Sequence, residues 1–448
     1  MKKSYDLIVI GSGVGGSSVA TACNQKGWSV AIIDDRPFGG TCALRGCDPK
    51  KVLHGIVNIY DEYQRIQGKG LTGDLQINWN ELMQFKKKFT EPVPENREDS
   101  WNEVGIDTYR GKAIFLDENQ IQIGEYQLRG TKIVLATGSM PTPLPIYGIE
   151  HLSYSDDFLE LENLPKTIVF VGGGYISFEF AHMAARAGAT VHILHRGDRP
   201  LKKFDPDLVD TLLEKSKEIG IQVHLNHAVK GIKKDGENFI VEAEYENKTI
   251  SFVADKVVHG AGRIPMIDMD LEKGNVQYSK KGIKVNDHLQ SPSNPRVYAV
   301  GDVLDTEGFP LTPVAGFESG IVVANLQEER SRVIHYPVTP SVVFTVPKLA
   351  MIGMSEKEAQ NSAKNIEVNH QKLSTWFTYR RTNEKYAEVK VIRDKDTDQI
   401  LGAHVLGEGA DDLINHFTTA IQLGITTEEL KQVVYAYPTA ASNIEFML

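Results

Sequence analysis

The sequence predicts an α/β protein: two Rossmann-like, doubly wound units followed by a C-terminal α+β block. Two observations carry this reading. A strand, glycine-rich loop, helix and second strand occur twice, and the last quarter of the chain alternates apolar and polar residues instead. The first unit opens on Leu7-Ile8-Val9-Ile10, a short buried-strand pattern, and continues directly into Gly11-Ser12-Gly13-Val14-Gly15-Gly16. A helical stretch follows to Gly27, then the strand Val30-Ala31-Ile32-Ile33, which ends at Asp34. Strand, G-x-G-x-x-G, helix, strand and acid form the dinucleotide fingerprint in its proper context. Gly11 permits the tight turn, Gly13 lets backbone approach a pyrophosphate, and Gly16 allows the helix to pack closely. The pyrophosphate then sits on the helix N-terminus, where unpaired N–H groups and the dipole favour anions. Asp34 is expected to accept hydrogen bonds from the ribose hydroxyls.

The pattern returns at Thr167-Ile168-Val169-Phe170-Val171, followed by Gly172-Gly173-Gly174-Tyr175-Ile176-Ser177, a helix to Gly188 and the strand Thr190–Leu194. Gly172 and Gly174 take the first two glycine roles, and Ser177 stands at the third. No acid closes the second strand. His195 and Arg196 come instead, with Arg199, Lys202 and Lys203 beyond. A cationic strand end, with His195, Arg196 and Lys202 foremost, suits the 2′-phosphate of NADP, and a solvated basic loop is the plain alternative. Two such units imply two nucleotides, most economically one flavin and one nicotinamide.

Between the two units lies Gly39-Gly40-Thr41-Cys42-Ala43-Leu44-Arg45-Gly46-Cys47-Asp48-Pro49-Lys50-Lys51. Residues five apart in a regular helix are separated by roughly 8.7 Å at Cα, whereas a disulfide needs about 4.4–6.8 Å. Bridging Cys42 to Cys47 therefore requires a distorted turn, for which Gly46 and Pro49 are suited. A strained, accessible bridge is the kind that is readily reduced. Two unrelated free thiols would have the same spacing, but their place after a nucleotide unit favours redox chemistry. The third cysteine, Cys23, reads as a small buried hydrophobe in the first helix.

The chain has 448 residues, enough for about three domains, with 41% hydrophobic and 24% charged residues, as in soluble globular proteins. A net charge of −10 excludes a general nucleic-acid binder. Three cysteines make no secreted disulfide framework. Lys2-Lys3 precedes an apolar stretch, but Asp6 and the glycines interrupt it too early for a signal peptide. No apolar run reaches membrane-spanning length, so a cytoplasmic protein without membrane partners is expected. No metal site is expected. Charged helices are expected near 81–104 and strands near 108–136. The last block, 332–448, reads as an antiparallel sheet through Val342-Val343-Phe344, Glu388–Ile392 and Ala403–Leu406, with helices at 355–361, 409–423 and 426–433.

Taken together, these segments resemble the pyridine nucleotide-disulfide oxidoreductases, the family of glutathione reductase, dihydrolipoamide dehydrogenase and mercuric reductase. The resemblance extends to Ala136-Thr137-Gly138-Ser139, Gly262-Arg263-Ile264-Pro265, Val300-Gly301-Asp302, Leu311-Thr312-Pro313-Val314-Ala315 and Phe344-Thr345-Val346-Pro347. It implies FAD held by residues 1–145 and 266–330, NAD(P)H held by 146–265, and a homodimer formed through 332–448, with the active site across its interface. It implies that Cys47 lies against the flavin, that Cys42 attacks substrate, and that Lys50 and Glu179 pair near the reactive flavin nitrogen. Asp302 would bind the ribityl chain and Tyr175 would cover the nicotinamide pocket. Thr41, Gly138, Arg263 and Ala315 fall among its cofactor contacts.

The chain also departs from the family pattern. Where most members carry His-Pro-Thr and then a glutamate, this chain has Tyr437-Pro438-Thr439-Ala440-Ala441-Ser442-Asn443. A phenol, with a reference pKa of about 10, is no ready base near neutrality, unlike imidazole at about 6.5. Thr21 and Gly320 stand where glutathione reductases place arginines for the substrate carboxylates, which argues against that tripeptide. Mercuric reductases share the tyrosine but add a C-terminal cysteine pair, and this chain ends Glu445-Phe446-Met447-Leu448. Asp48 beside Cys47 is expected to oppose its thiolate. The resulting expectation is an NADPH-dependent, FAD-containing reductase that passes electrons through Cys42–Cys47 to a small disulfide or other thiol-reactive acceptor. A diaphorase-type or mercuric-reductase-like transfer to quinones or metal ions is the alternative, and a non-enzymatic redox sensor the minor one.

Overall fold

The computed structural model describes residues 2–448. The chain divides into two compact units, one of Met1–Lys51, Phe85–Thr142 and Gly262–Tyr336, the other of Val52–Gln84, Pro143–Ala261 and Pro337–Leu448. The mixed α/β architecture expected from the sequence is the one found.

In the first unit the parallel strands lie in the order Asp107–Arg110, Val30–Asp34, Lys2–Ile10, Tyr126–Leu135 and Val297–Ala299. That is the 3-2-1-4-5 sequence order of a dinucleotide fold. Leu7, Ile8, Val9, Ile32, Ile33, Val134 and Leu135 are fully buried, which is why these strands read as unbroken apolar runs. Gln120–Ile123 and Ala113–Asp117 extend the sheet antiparallel, and the helical charge pattern near 81–104 resolves into Trp79–Thr90 and Val93–Glu103.

The second unit repeats the theme with Ile221–His224, Thr190–Leu194, Thr167–Val171 and Lys256–His259, all parallel, again in 3-2-1-4 order. Between its third and fourth strands a three-stranded meander is inserted: Ala228–Asp235, Asn238–Tyr245 and Lys248–Ala254. The sequence signal for it was the Glu246-Asn247 pair, whose φ values of 50° and 61° match the two-residue hairpin turn. The same unit carries a five-stranded antiparallel sheet ordered Ser341–Val343, Lys348–Gly353, Ile400–Gly407, Glu388–Asp394 and Ile366–Lys372. Helix Ala410–Leu423 packs on it through Leu413, Ile414 and Phe417, and ends on left-handed Gly424.

A buried carboxylate joins distant parts of this unit. Asp61 accepts from Arg186 at 2.6 Å and from Arg65 at 3.1 Å, and lies 3.4 Å from Lys215. These cations hold its carboxyl below the usual range against the effect of burial. Arg186 also donates to Val346 O at 2.7 Å, and Arg65 to Thr382 O at 2.9 Å. Such a network contributes chiefly when complete, because losing one member leaves a buried charge unpaired.

Ser177, at the third glycine position, is buried in helix Tyr175–Arg186. It fits because of the residue opposite: a Cβ on Gly260 would lie 1.9 Å from Ser177 Oγ. We expect Gly260→Ala to lower unfolding free energy by about 1–3 kcal/mol through overpacking. Adding Ser177→Gly should restore most of it, with a coupling above about 1 kcal/mol in a denaturant-unfolding cycle. Strictly additive losses would show that the two positions do not interact.

Candidate active site

The first glycine loop is shaped by contacts that exclude side chains. Gly11 has φ 107°, and a Cβ on Gly16 would lie 1.9 Å from Gly11 O. Gly13 caps helix Val14–Asn24 with no side-chain hydrogen bond. Asp34 is engaged more fully than expected: Oδ2 accepts from Ser12 N at 2.8 Å and Ser12 Oγ at 2.6 Å, and Oδ1 accepts from Arg36 N at 2.9 Å. Of about four lone-pair positions on a carboxylate, one on Oδ1 is left for a ribose hydroxyl. Gly39 N donates to Ser12 Oγ at 3.1 Å, which ties the cysteine segment to this loop.

The cysteine segment is two helices, Gly40–Arg45 and Cys47–Ile66, broken at Gly46. A Cβ on Gly46 would lie 2.8 Å from Thr41 O, so this approach requires glycine. The break lets the two sulfurs meet. Both cysteines are free thiols, and Cys42 hydrogen-bonds Cys47. Cys47 is the first residue of a helix 20 residues long, where the dipole favours a thiolate. Its Sγ lies 3.6 Å from Thr312 Oγ1, at the start of helix Thr312–Gln327. The bond from Cys42, then Thr312 and the charges of Lys50 and Lys51, outweigh burial and bring Cys47 down to about 6. The same bond and burial hold Cys42 well above the usual thiol range. Asp48 is exposed, and its charge raises Cys42, so the expected opposition at Cys47 does not prevail. Cys23 is fully buried, as expected, and burial pushes its thiol up to about 11.

Asp302, Ser139 and Arg263 converge beside Gly138. Ser139 Oγ donates to Asp302 at 2.9 Å, and Arg263 donates to Ser139 Oγ at 3.0 Å and to Ser139 O at 2.5 Å. The sequence reading missed Glu318, which is 2% exposed. Its carboxylate accepts from Gly301 N and from Tyr336 OH, both at 2.7 Å, and burial raises its pKa. A lone acid in the apolar stretch Thr312–Gln327 was the available signal. Ser319, next to it, donates to Gly15 O at 3.2 Å and so joins this helix to the first glycine loop. A Cβ on Gly301 would touch the Ala315 side chain at 3.4 Å.

In the second unit Gly172 has φ 110° and Gly174 caps helix Tyr175–Arg186, again without a side-chain bond. Tyr175 is half-exposed over this loop. His195 is engaged on both ring nitrogens. Its Nδ1 accepts from Gly173 N at 3.1 Å and its Nε2 bonds Arg199 O at 3.0 Å, which fixes a neutral tautomer. Burial lowers its pKa as well. His195 thus props the glycine loop and supplies no cation. Arg199 is paired with Asp210 at 2.8 Å, whereas Arg196 and Lys202 are exposed. Glu179 is buried and accepts from Phe344 N at 2.8 Å. Tyr437 is 74% exposed. At the acid position Ser442 donates to Thr439 O at 2.8 Å and Asn443 to Thr378 at 3.0 Å, so both are spent locally.

Comparison with known proteins agrees with this arrangement. Residues 5–319 match the pyridine nucleotide-disulphide oxidoreductase family, and 339–447 match its dimerisation domain. The chain belongs to the pyridine nucleotide-disulphide oxidoreductases. An uncharacterised 19.7 kDa protein in a mercuric resistance operon of Staphylococcus aureus is 58% identical over 180 residues, 40% of this chain and all of that one. The mercuric reductase of Staphylococcus aureus is 30% identical over 98% of this chain and 81% of its own. Among solved structures, a Cu(II) complex of the HOCl-induced flavoprotein disulfide reductase RclA from Escherichia coli superimposes with a TM-score of 0.89. It is 25% identical, over 98% of this chain and 99% of that one.

Pyridine nucleotide-disulphide oxidoreductases are NAD(P)H-dependent flavoprotein enzymes that act on sulfur groups, with FAD as the bound flavin. The residues present fit these groups. Two uncapped helix N-termini, at Gly13 and Gly174, leave first-turn N–H groups for phosphates. Open space lies over Gly13, where a Cβ would meet nothing nearer than Gly40 Cα at 4.0 Å. No helix among the described residues is long and apolar enough to cross a membrane.

The shifted thiol can be tested directly. In the reduced protein the thiolate absorbance should titrate with a midpoint near about 6, below the free-cysteine value of about 8.5. Cys42→Ala should raise that midpoint most, and Thr312→Val less. A midpoint unmoved by both would mean that neither group holds the charge.

Proposed function

We propose that the protein is an NADPH-dependent, FAD-containing reductase whose Cys42–Cys47 pair cycles between dithiol and disulfide, and whose acceptor is a thiol-reactive electrophile needing no proton from the protein. In this reading residues 1–145 and 266–330 hold FAD, 146–265 hold NADPH and 332–448 form a homodimer. The chemistry supplied by bound FAD is the exchange of a hydride equivalent from the nicotinamide for an electron pair at a disulfide. By the family resemblance, Lys50 and Glu179 would serve the flavin, Asp302 its ribityl chain and Tyr175 the nicotinamide pocket. Exposure of Tyr437 at 74% and Val434 at 96% supports a partner-covered surface there.

The observation that carries the acceptor class is the hydrogen bond from Cys42 to Cys47, which leaves the proton on Cys42 and the charge on Cys47, with Tyr437 where the family carries an imidazole. Cys42 attacks the acceptor as its proton passes to solvent. The Cys47 thiolate then displaces the product and closes the disulfide. With a disulfide acceptor two thiols leave, one for each electron. A phenol is a weaker acid toward a basic leaving thiolate than the imidazolium most family members place there. That favours acceptors with acidic leaving groups, or soft metal ions, which take electrons without protons. The mercuric reductase relative and the Cu(II) complex of RclA support the metal-ion branch of this class.

An aromatic disulfide with acidic thiols should therefore be reduced with a kcat/KM at least about a hundredfold above that for glutathione disulfide, the scale of one missing acid–base catalyst. Cys42→Ser should abolish both activities, and Tyr437→Phe should leave reduction of the bound flavin by NADPH intact. Equal rates for the two disulfides would refute the assigned class.

For the coenzyme, Arg196 and Lys202 are the cations placed for a 2′-phosphate. One charge-assisted contact is worth about 1.5–3 kcal/mol, so NADPH should exceed NADH in kcat/KM by about tenfold or more. Arg196→Ala with Lys202→Ala should erase the difference. Equal use of NADH by the unaltered protein would overturn the NADPH assignment.

A further inference from the structure

Outside the nucleotide and thiol sites, three histidines crowd one place in the second unit. His192, on strand Thr190–Leu194, faces His224, on strand Ile221–His224, with Nδ1 of the first 3.1 Å from Nε2 of the second. Their rings are nearly parallel, with centroids 5.4 Å apart. His227 follows, its centroid 5.3 Å from His224, and stacks on Tyr245 at 4.4 Å. Phe252 closes the cluster, with its ring 4.8 Å from that of His224.

We propose that His192 and His224 form a binding site for a first-row divalent cation of imidazole preference, Cu(II) foremost. Two nitrogens bonded to one metal at about 2.0–2.1 Å lie about 2.8–3.0 Å apart at the right angles of tetragonal Cu(II) and about 3.3–3.4 Å apart in tetrahedral geometry, and the 3.1 Å already present falls between them. Neutral imidazole is the ligating form. Both rings are half-exposed, so water completes the coordination. No group of three or more His, Cys, Asp or Glu residues with ligating geometry occurs among the described residues. The site as it stands therefore offers two protein donors. His227 is not among them: its Nδ1 bonds Leu225 O at 2.7 Å and its ring stacks on Tyr245. The proton now shared between His192 and His224 moves to the far nitrogen of its own ring when the metal enters, so binding at neutral pH releases none. Among divalent ions Cu(II) binds such donors most tightly and Zn(II) less so.

The test uses the FAD-loaded Cys42→Ser/Cys47→Ser protein, so that thiols do not compete, with one equivalent of Cu(II). Its electron paramagnetic resonance spectrum should show superhyperfine splitting from two imidazole nitrogens. His192→Gln or His224→Gln, with flavin absorbance and melting temperature unchanged, should remove that splitting and weaken Cu(II) binding at least about tenfold. As a measurement that needs no substitution at the site, Cu(II) should protect His192 and His224 from diethyl pyrocarbonate while exposed His335 still reacts. Unchanged splitting and affinity in both variants, or no protection of the pair, would overturn the site.

Discussion

The approach of Gly46 to the Thr41 carbonyl is the constraint on which the thiol chemistry depends. A Cβ there would lie 2.8 Å from that oxygen, so only glycine lets the chain leave one helix and start another within a single residue. Had the helix run on unbroken, its geometry would have kept the sulfurs on different turns. The break instead places Cys47 first in a new helix, where the backbone N–H groups, Lys50, Lys51 and Thr312 all act on one sulfur. Position and acidity of that sulfur thus have a common origin in the backbone.

The two nucleotide loops solve a related problem twice. Each presents an uncapped helix start on glycine, and each braces the loop with a polar side chain from the end of the second strand. In the first loop Asp34 receives the Ser12 N–H and hydroxyl. In the second His195 receives the Gly173 N–H. The chemistry of the brace differs: a carboxylate retains a lone pair for ribose, whereas an imidazole bonded on both nitrogens has nothing left to offer. In the NADPH-dependent reading proposed above, a 2′-phosphate would fall to the exposed cations Arg196 and Lys202 farther along the loop.

Much of this was legible in the sequence because glycine spacing, apolar runs and the cysteine pair are local signals. Both Rossmann-like units and the antiparallel C-terminal sheet follow from such signals. What stayed hidden depends on residues brought from far away. Thr312 lies within a recognised motif, yet its contact with Cys47 joins positions that no spacing rule connects. Glu318 is an acid whose partners, Gly301 N and Tyr336 OH, come from elsewhere in the chain. His195 was read by its charge, but its role was set by burial and by two backbone groups. The meander at 228–254 was missed because it interrupts a parallel pattern that reads as complete without it.

Ser177 and Gly260 show how a degraded fingerprint remains workable. The helix start has accepted one hydroxymethyl group, and the turn after strand Lys256–His259 has given up a side chain to make room for it. Among descendants of such a chain the two positions would not drift independently. A glycine at 177 would free 260 to acquire a side chain, while a serine at 177 would keep 260 bare. Scored one column at a time, each site would look merely tolerant; scored as a pair, they would reveal a single volume shared between two distant points of the chain.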